Sequence, residues 1–257
     1  GEYNRNAGPN IDSWSDFQPL GVVAGITPFN FPAMIPLWKA GPALACGNAF
    51  ILKAHEFTPL SGLALASLAE RAGLPVGLFN VVTGDGRTLG RALVQGADMV
   101  TMTGSTRAGR EIYAAGAEQI KILRLELGGK DPGYVAEDAD LDAAVNGLMD
   151  GAMFNTGQCC CGIERIYVHD SLYDAFVEKA VTWTKALTLG DPLDPATTLG
   201  PMAHARFAQT VRDQVAEAVA QGAFRHRRAA DVARAHEQDR HLRRRRFGSG
   251  HHSSSIL

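Results

Sequence analysis

Short apolar runs alternate with longer stretches of mixed polarity through the first half of the chain, and this alternation predicts a repeated strand–helix unit. Residues 21–26, 49–53, 78–82, 99–103 and 120–125 are brief and rich in β-branched residues, and most lack a polar face, as strands covered on both sides require. Residues 34–45 are apolar around almost every face and predict a buried helix. Residues 59–72 predict a second helix, with Thr58 as N-cap, Pro59 at the first helical position, and Gly73 and Pro75 as the stop. Residues 104–109 open another, capped by Ser105. The resulting order predicts an α/β fold, a Rossmann-like parallel sheet with helices on both faces.

The pattern then loosens. Residues 141–153 read as a helix capped by Asp140, with Leu141, Ala144, Leu148 and Ala152 on one face. A strand at 166–168, a helix at 172–187 and a helix at 203–221 ending before Gly222 predict the first part of a second α/β domain. At the other end, residues 13–19 alternate weakly around Trp14 and Phe17, which fits a hairpin arm or a frayed leader equally. The expected organisation is therefore a hairpin or leader at 1–20, a nucleotide-binding domain at 21–126, a partial catalytic domain at 127–223, and a tail at 224–257.

Composition refines this picture. Over 257 residues the chain is 46% hydrophobic and 20% charged, as in globular proteins. No apolar run approaches the roughly 18 residues of a membrane span, and the N-terminus has no apolar signal core. The cysteines are Cys46 and the adjacent triplet 159–161. Adjacent cysteines do not suggest a disulfide framework, so a reducing, cytoplasmic location is expected. The triplet also lacks C-x2-C spacing and a nearby histidine, which argues against a metal site. The net charge of −2 hides a basic end: residues 224–257 hold nine arginines against three acids, and five of the eight histidines. A nucleic-acid arm, a cloning scar and a shifted reading frame compete to explain it. The abrupt change of composition favours the shifted frame, so a disordered, non-native tail is expected and no nucleic-acid partner.

The candidate chemistry lies in Gly157-Gln158-Cys159-Cys160-Cys161-Gly162 and, 34 residues before Cys160, in Glu126 of Leu125-Glu126-Leu127-Gly128-Gly129-Lys130. A thiol nucleophile needs a base, both to form thiolate and to activate water, and one cysteine with one glutamate meets both needs. Residue types alone do not choose among the three thiols, and a buried cysteine is commonly structural. Asn30, between aromatic residues and prolines in Thr27-Pro28-Phe29-Asn30-Phe31-Pro32, is either a stiffly held oxyanion donor or a turn asparagine. Lys53 ends a strand with Glu56 three residues on, where classical dinucleotide folds place the acid that takes ribose hydroxyls; a solvated strand-end pair is the plainer reading. Gly84-Asp85-Gly86-Arg87-Thr88-Leu89-Gly90 is a glycine-rich turn one residue longer than the dinucleotide fingerprint. Ser105 opens a helix, and a helix N-terminus suits a pyrophosphate.

Taken together and in this order, these motifs resemble the aldehyde dehydrogenase superfamily over about residues 13–223. The resemblance implies NAD-dependent oxidation of an aldehyde to a carboxylic acid through a cysteine thiohemiacetal and thioester, with NADP also possible. It implies Cys160 as nucleophile, Glu126 as base and Asn30 as oxyanion donor, with Cys159 and Cys161 as packing residues. It further implies cofactor contacts from Ile26, Thr27, Pro28, Phe29, Lys53, Glu56, Gly86, Gly90, Thr103, Gly104, Ser105 and Leu127. Expected partners are a small-molecule aldehyde and, for the parent protein, a homodimer or homotetramer, with no membrane. Against the family the chain reads as truncated at both ends, without the E-x-F-G-P cofactor loop, so weak activity is expected of the chain alone. A non-catalytic nucleotide-binding fragment and a cysteine-dependent ester or thioester hydrolase are the alternatives.

Overall fold

The computed structural model describes residues 1–222 and the short strand Ser253–Ser255. The expectation of a disordered tail at 224–257 otherwise lies outside the described residues. Cα packing divides the chain after Gly128 into two compact units.

The first unit begins with an antiparallel hairpin, β1 (Tyr3–Gly8) and β2 (Ile11–Trp14). It takes in only the start of the alternating stretch; residues 15–19 form no strand, and Phe17 is exposed. Five parallel strands follow: β3 (Val22–Ile26), β4 (Ala49–Lys53), β5 (Phe79–Val82), β6 (Met99–Gly104) and β7 (Ile122–Leu127), in the spatial order β5-β4-β3-β6-β7. The chain steps outward from β3 through β4 to β5, then returns to place β6 on the other side of β3. This reversal places the topological switch point at the carboxyl ends of β3 and β6, where open α/β sheets hold their ligands.

Helices cover both faces. α1 (Met34–Ala45) and α2 (Pro59–Arg71) share one side, where Val23, Ala40, Ala43, Phe50 and Leu52 are buried together. α3 (Gly86–Gly96) and α4 (Thr106–Ala117) take the other, around Ala24, Val94, Val100, Met102 and Ile112. Phe50 is fully buried against Phe79 at 5.6 Å between ring centroids. It lies where a Cβ on Gly25 would come within 2.4 Å of its ring, so β3 carries glycine there.

Three expectations change here. α1 is not buried all round: Ile35, Pro36, Ala40 and Ala43 face inward, while Met34, Leu37 and Trp38 are exposed. The last strand starts at Ile122 rather than 120, because the amides of Ile120 and Lys121 close the end of α4 on Ala117 and Gly116, with Ile120 left-handed at φ 51°. Glu126 sits inside β7, in register with Thr103. Thr58 precedes α2 as expected, but its hydroxyl makes no capping bond.

The second unit holds β8 (Asp131–Val135), β9 (Ile163–His169) and β10 (Ser253–Ser255), in the order β10-β9-β8. β8 is not apparent in the sequence because Pro132 and Gly133 read as a turn; at a sheet edge a proline costs little pairing. α5 (Leu141–Met153) and α6 (Tyr173–Lys185) pack on this sheet through Val145, Met149, Phe176 and Ala180. Asp140 caps α5, accepting the amides of Asp142 and Ala143. α7 (Ala205–Ala220) has no buried residue. Among the described residues, no helix is long and apolar enough to cross a membrane.

Candidate active site

In the first unit the carboxyl ends of the strands gather most of the predicted cofactor residues. Ile26 and Lys53 are register partners at the ends of β3 and β4. The buried Thr27 continues that pairing, its amide donating to the Lys53 carbonyl at 3.3 Å. Pro28 and Phe29 extend the loop, and the Phe29 ring meets the edge of His55 at 5.4 Å. Asn30 follows, half-buried, with its side-chain oxygen fully enclosed.

Lys53 is only 3% exposed, and its Nζ lies 3.1 Å from Glu56 Oε2. Burial works to raise the Glu56 carboxyl, but its own backbone amide, Lys53 and His55 outweigh that effect and hold it below the ordinary range. A Cβ on Gly86 would come 3.8 Å from Lys53 Nζ, so the start of α3 lies beside this ammonium.

Two helix N-termini reach this edge, and their caps differ in charge. Asp85 caps α3 through the Arg87 amide, placing an anion where a phosphate would otherwise sit. Ser105 caps α4 through the Ala108 amide at 3.3 Å and is neutral. The first amides of α4, those of Thr106 and Arg107, have no carbonyl to bond within the helix. The geometry thus favours α4, beside the β3/β6 switch point, for an anionic ligand. Thr103 and Gly104 end β6 next to it. Gly90 and Leu127 have visible packing roles: a Cβ on Gly90 would touch Ile112 at 3.5 Å, and Leu127 lies against α4 so closely that a Cβ on Gly109 would come within 2.7 Å.

Lys39 was not singled out by sequence reasoning. It is the sole charge in α1, which was the available signal. Its Nζ donates to Thr101 Oγ1 at 2.9 Å. Burial pushes the ammonium down, and the charge of Glu126 partly restores it.

In the second unit the cysteines follow a strained connection. After α5, Asn155, Thr156 and Gly157 are all left-handed, with φ of 51°, 61° and 71°. A β-branched threonine rarely adopts this conformation, and such strain persists only where surrounding contacts enforce it. Those contacts come from residues 200–203: Thr156 Oγ1 donates to the Gly200 carbonyl at 3.0 Å, and Gln158 Oε1 accepts the Ala203 amide at 2.9 Å. The amides of Asn155 and Gln158 also bond reciprocally to each other's carbonyls.

A turn closed by the Gly162 amide on the Cys159 carbonyl, at 3.2 Å, then presents Cys160 and Cys161. Both are exposed, while Cys159 is half-buried. Cys161 is therefore not a packed residue as expected; its Sγ lies 3.3 Å from that of Cys159. Burial, and then the contact with Cys161, push the Cys159 thiol up, so it is a poor source of thiolate. Lys130 pairs with Glu164, and its carbonyl is gripped by Arg165 Nη2 at 2.7 Å, which assigns it to the β8–β9 pair. Among the described residues, no cluster of three or more His, Cys, Asp or Glu side chains is placed to hold a metal.

The profile of the Aldehyde dehydrogenase family matches residues 2–228. The 3,6-anhydro-alpha-L-galactose dehydrogenase of Streptomyces coelicolor is 52% identical over 208 residues, covering 80% of this chain and 42% of that protein. A structure of 3,6-anhydro-L-galactose dehydrogenase in complex with NAP superposes with a TM-score of 0.81 at 42% identity, covering 86% of this chain and 47% of the other. The NAD+ complex of an aldehyde dehydrogenase from Bacillus cereus gives 0.78 at 40% identity, covering 80% and 42%. The chain spans less than half the length of these relatives.

Proposed function

This chain belongs to the aldehyde dehydrogenase family, and we propose that it oxidises an aldehyde to a carboxylic acid through a thioester on Cys160, with NAD or NADP as hydride acceptor. The observation that carries the reading is the carboxyl edge of the parallel sheet. There a buried lysine paired with Glu56, a glycine beside its ammonium and a neutral-capped helix N-terminus surround the topological switch point.

The residues fit a dinucleotide. Lys53 and Glu56 would hold the ribose hydroxyls, Gly86 would leave room beside them, and Ser105 with the first amides of α4 would take the pyrophosphate. When bound, the nicotinamide supplies a two-electron hydride acceptor. Cys160 thiolate adds to the aldehyde carbon, forming the C–S bond and an oxyanion. The Asn30 side-chain amide and the Cys160 backbone amide stabilise that charge, each by about 3 kcal/mol where donors are preorganised. Loss of hydride from the adduct leaves the acyl group on Sγ. Glu126 then takes a proton from water, whose oxygen attacks the thioester carbon; the C–S bond breaks, releasing the carboxylic acid and the Cys160 thiolate, and Glu126 gives its proton to solvent. Cytoplasmic location and a homo-oligomeric parent complete the reading.

Trapping the acyl group tests it. The purified chain, incubated with NAD and an aliphatic aldehyde and then quenched in acid, is expected to carry the acyl mass on the peptide containing Cys160. A single turnover suffices for detection, so slow deacylation does not hide it. An adduct that forms from an activated ester but never from aldehyde with NAD favours the hydrolase alternative.

A further inference from the structure

His55 lies between the two residues that would face the cofactor ribose, and the proposed chemistry gives it no part. Its ring is packed in an aromatic slot, 5.4 Å from the Phe29 centroid and 5.0 Å from that of Phe57. Its Nδ1 accepts the Phe57 amide at 3.2 Å and stands 3.7 Å from Glu56 Oε2. The same carboxylate oxygen is bonded to Lys53 Nζ. Among the described residues, Lys53, from the end of β4, and His55 are the charged or titratable side chains acting on Glu56. The Phe29 loop adds an uncharged wall, and α3 adds Gly86 beside the ammonium.

The hydrogen bonding sets the tautomer. Because neutral His55 accepts a backbone amide on Nδ1, its single proton is on Nε2. A second proton must go on Nδ1, which then gives up the Phe57 amide and becomes a donor toward Glu56. Protonation therefore does two things at once: it draws Glu56 toward the imidazolium and adds a positive charge to the cluster. With neutral His55, the charges of Lys53 and Glu56 cancel; with protonated His55, the cluster is cationic by one unit.

We propose that His55 sets the choice between the two nicotinamide dinucleotides: the neutral cluster favours a ribose 2′-hydroxyl, and the protonated cluster accepts a 2′-phosphate. This rests on the cofactor site assigned to Lys53 and Glu56. Histidine is the side chain whose ordinary ionisation falls between about pH 5 and 8.

The test is equilibrium titration of the full chain with NAD and with NADP at about pH 5.5 and about pH 8, bracketing the ordinary histidine range. It is repeated with His55→Asn, whose side-chain oxygen can still accept the Phe57 amide but cannot become cationic, and with His55→Arg, which is always charged. The 2′-phosphate has its own ionisation near about pH 6, common to all three proteins, and it cancels in the comparison between them. Between high and low pH, the Kd ratio of NAD to NADP in the parent chain is expected to move toward NADP by about fivefold more than in His55→Asn, the scale of a partly exposed ion pair. His55→Arg is expected to favour NADP at both pH values. By linkage, NADP and not NAD should raise the His55 ionisation followed by imidazole NMR. Equal pH dependence in the parent and His55→Asn overturns the inference and leaves the cofactor site intact. If neither dinucleotide binds at either pH, the site itself is overturned, and the inference with it.

Discussion

Cys160→Ser is expected to abolish acyl capture from aldehyde and NAD, and to lower NADH formation by at least about a thousandfold, as loss of a catalytic nucleophile does elsewhere. The reason is ionisation. A thiol contributes a few per cent of reactive thiolate at neutral pH, whereas an unactivated serine hydroxyl contributes essentially none. Cys160 is exposed on the Cys159–Gly162 turn, so the change removes no core packing, and the circular dichroism spectrum should be unaltered. Cys161→Ser, on the same turn, is expected to leave acyl capture in place. Capture that survives Cys160→Ser and disappears with Cys161→Ser would transfer the nucleophile to the neighbouring thiol.

Phe50→Ala is expected to destabilise the first unit by about 3–5 kcal/mol, the range for removing a buried aromatic side chain. Phe50 is 0% exposed, sits edge-on to Phe79 and fills the space left by Gly25. The cavity cannot collapse easily, because β3 and β5 flank β4 and are held in register with it. Urea unfolding should show a clearly lower midpoint with an unchanged slope. Lys53 is three residues along the same strand, so dinucleotide binding should weaken as the unit loses stability. A midpoint within experimental error of the parent would mean that this core is not organised around Phe50.

The first unit was readable because its signals are local. Apolar runs such as 49–53 are strands whichever partner they find, and Ser105 caps the helix it precedes. Errors arose where two local preferences competed. Ile120 looks like strand, but the end of α4 uses its amide and turns it left-handed. Pro132 and Gly133 look like a turn, but an edge position accepts them.

The candidate site was legible as motifs but not as geometry. Nothing in Asn155-Thr156-Gly157 announces three left-handed residues, because the bonds that enforce them come from Gly200 and Ala203, more than forty residues away. Nor does the glycine-rich turn reveal that its own helix has an anionic cap while α4 starts on a neutral one. Lys39 appears in the sequence only as a lone charge in an apolar helix; its bond to Thr101 requires the fold.

The central claim, that the sheet edge around Lys53 is a dinucleotide site, is tested most directly by calorimetric titration of NAD into the chain and into Lys53→Met. Methionine keeps the apolar stem in its buried position and removes the ammonium. Saturable binding to the parent chain is predicted, weakened about 10- to 100-fold in Lys53→Met, as expected for loss of a charge-assisted hydrogen bond. No saturable heat with the parent chain, or an unchanged affinity in Lys53→Met, would contradict it.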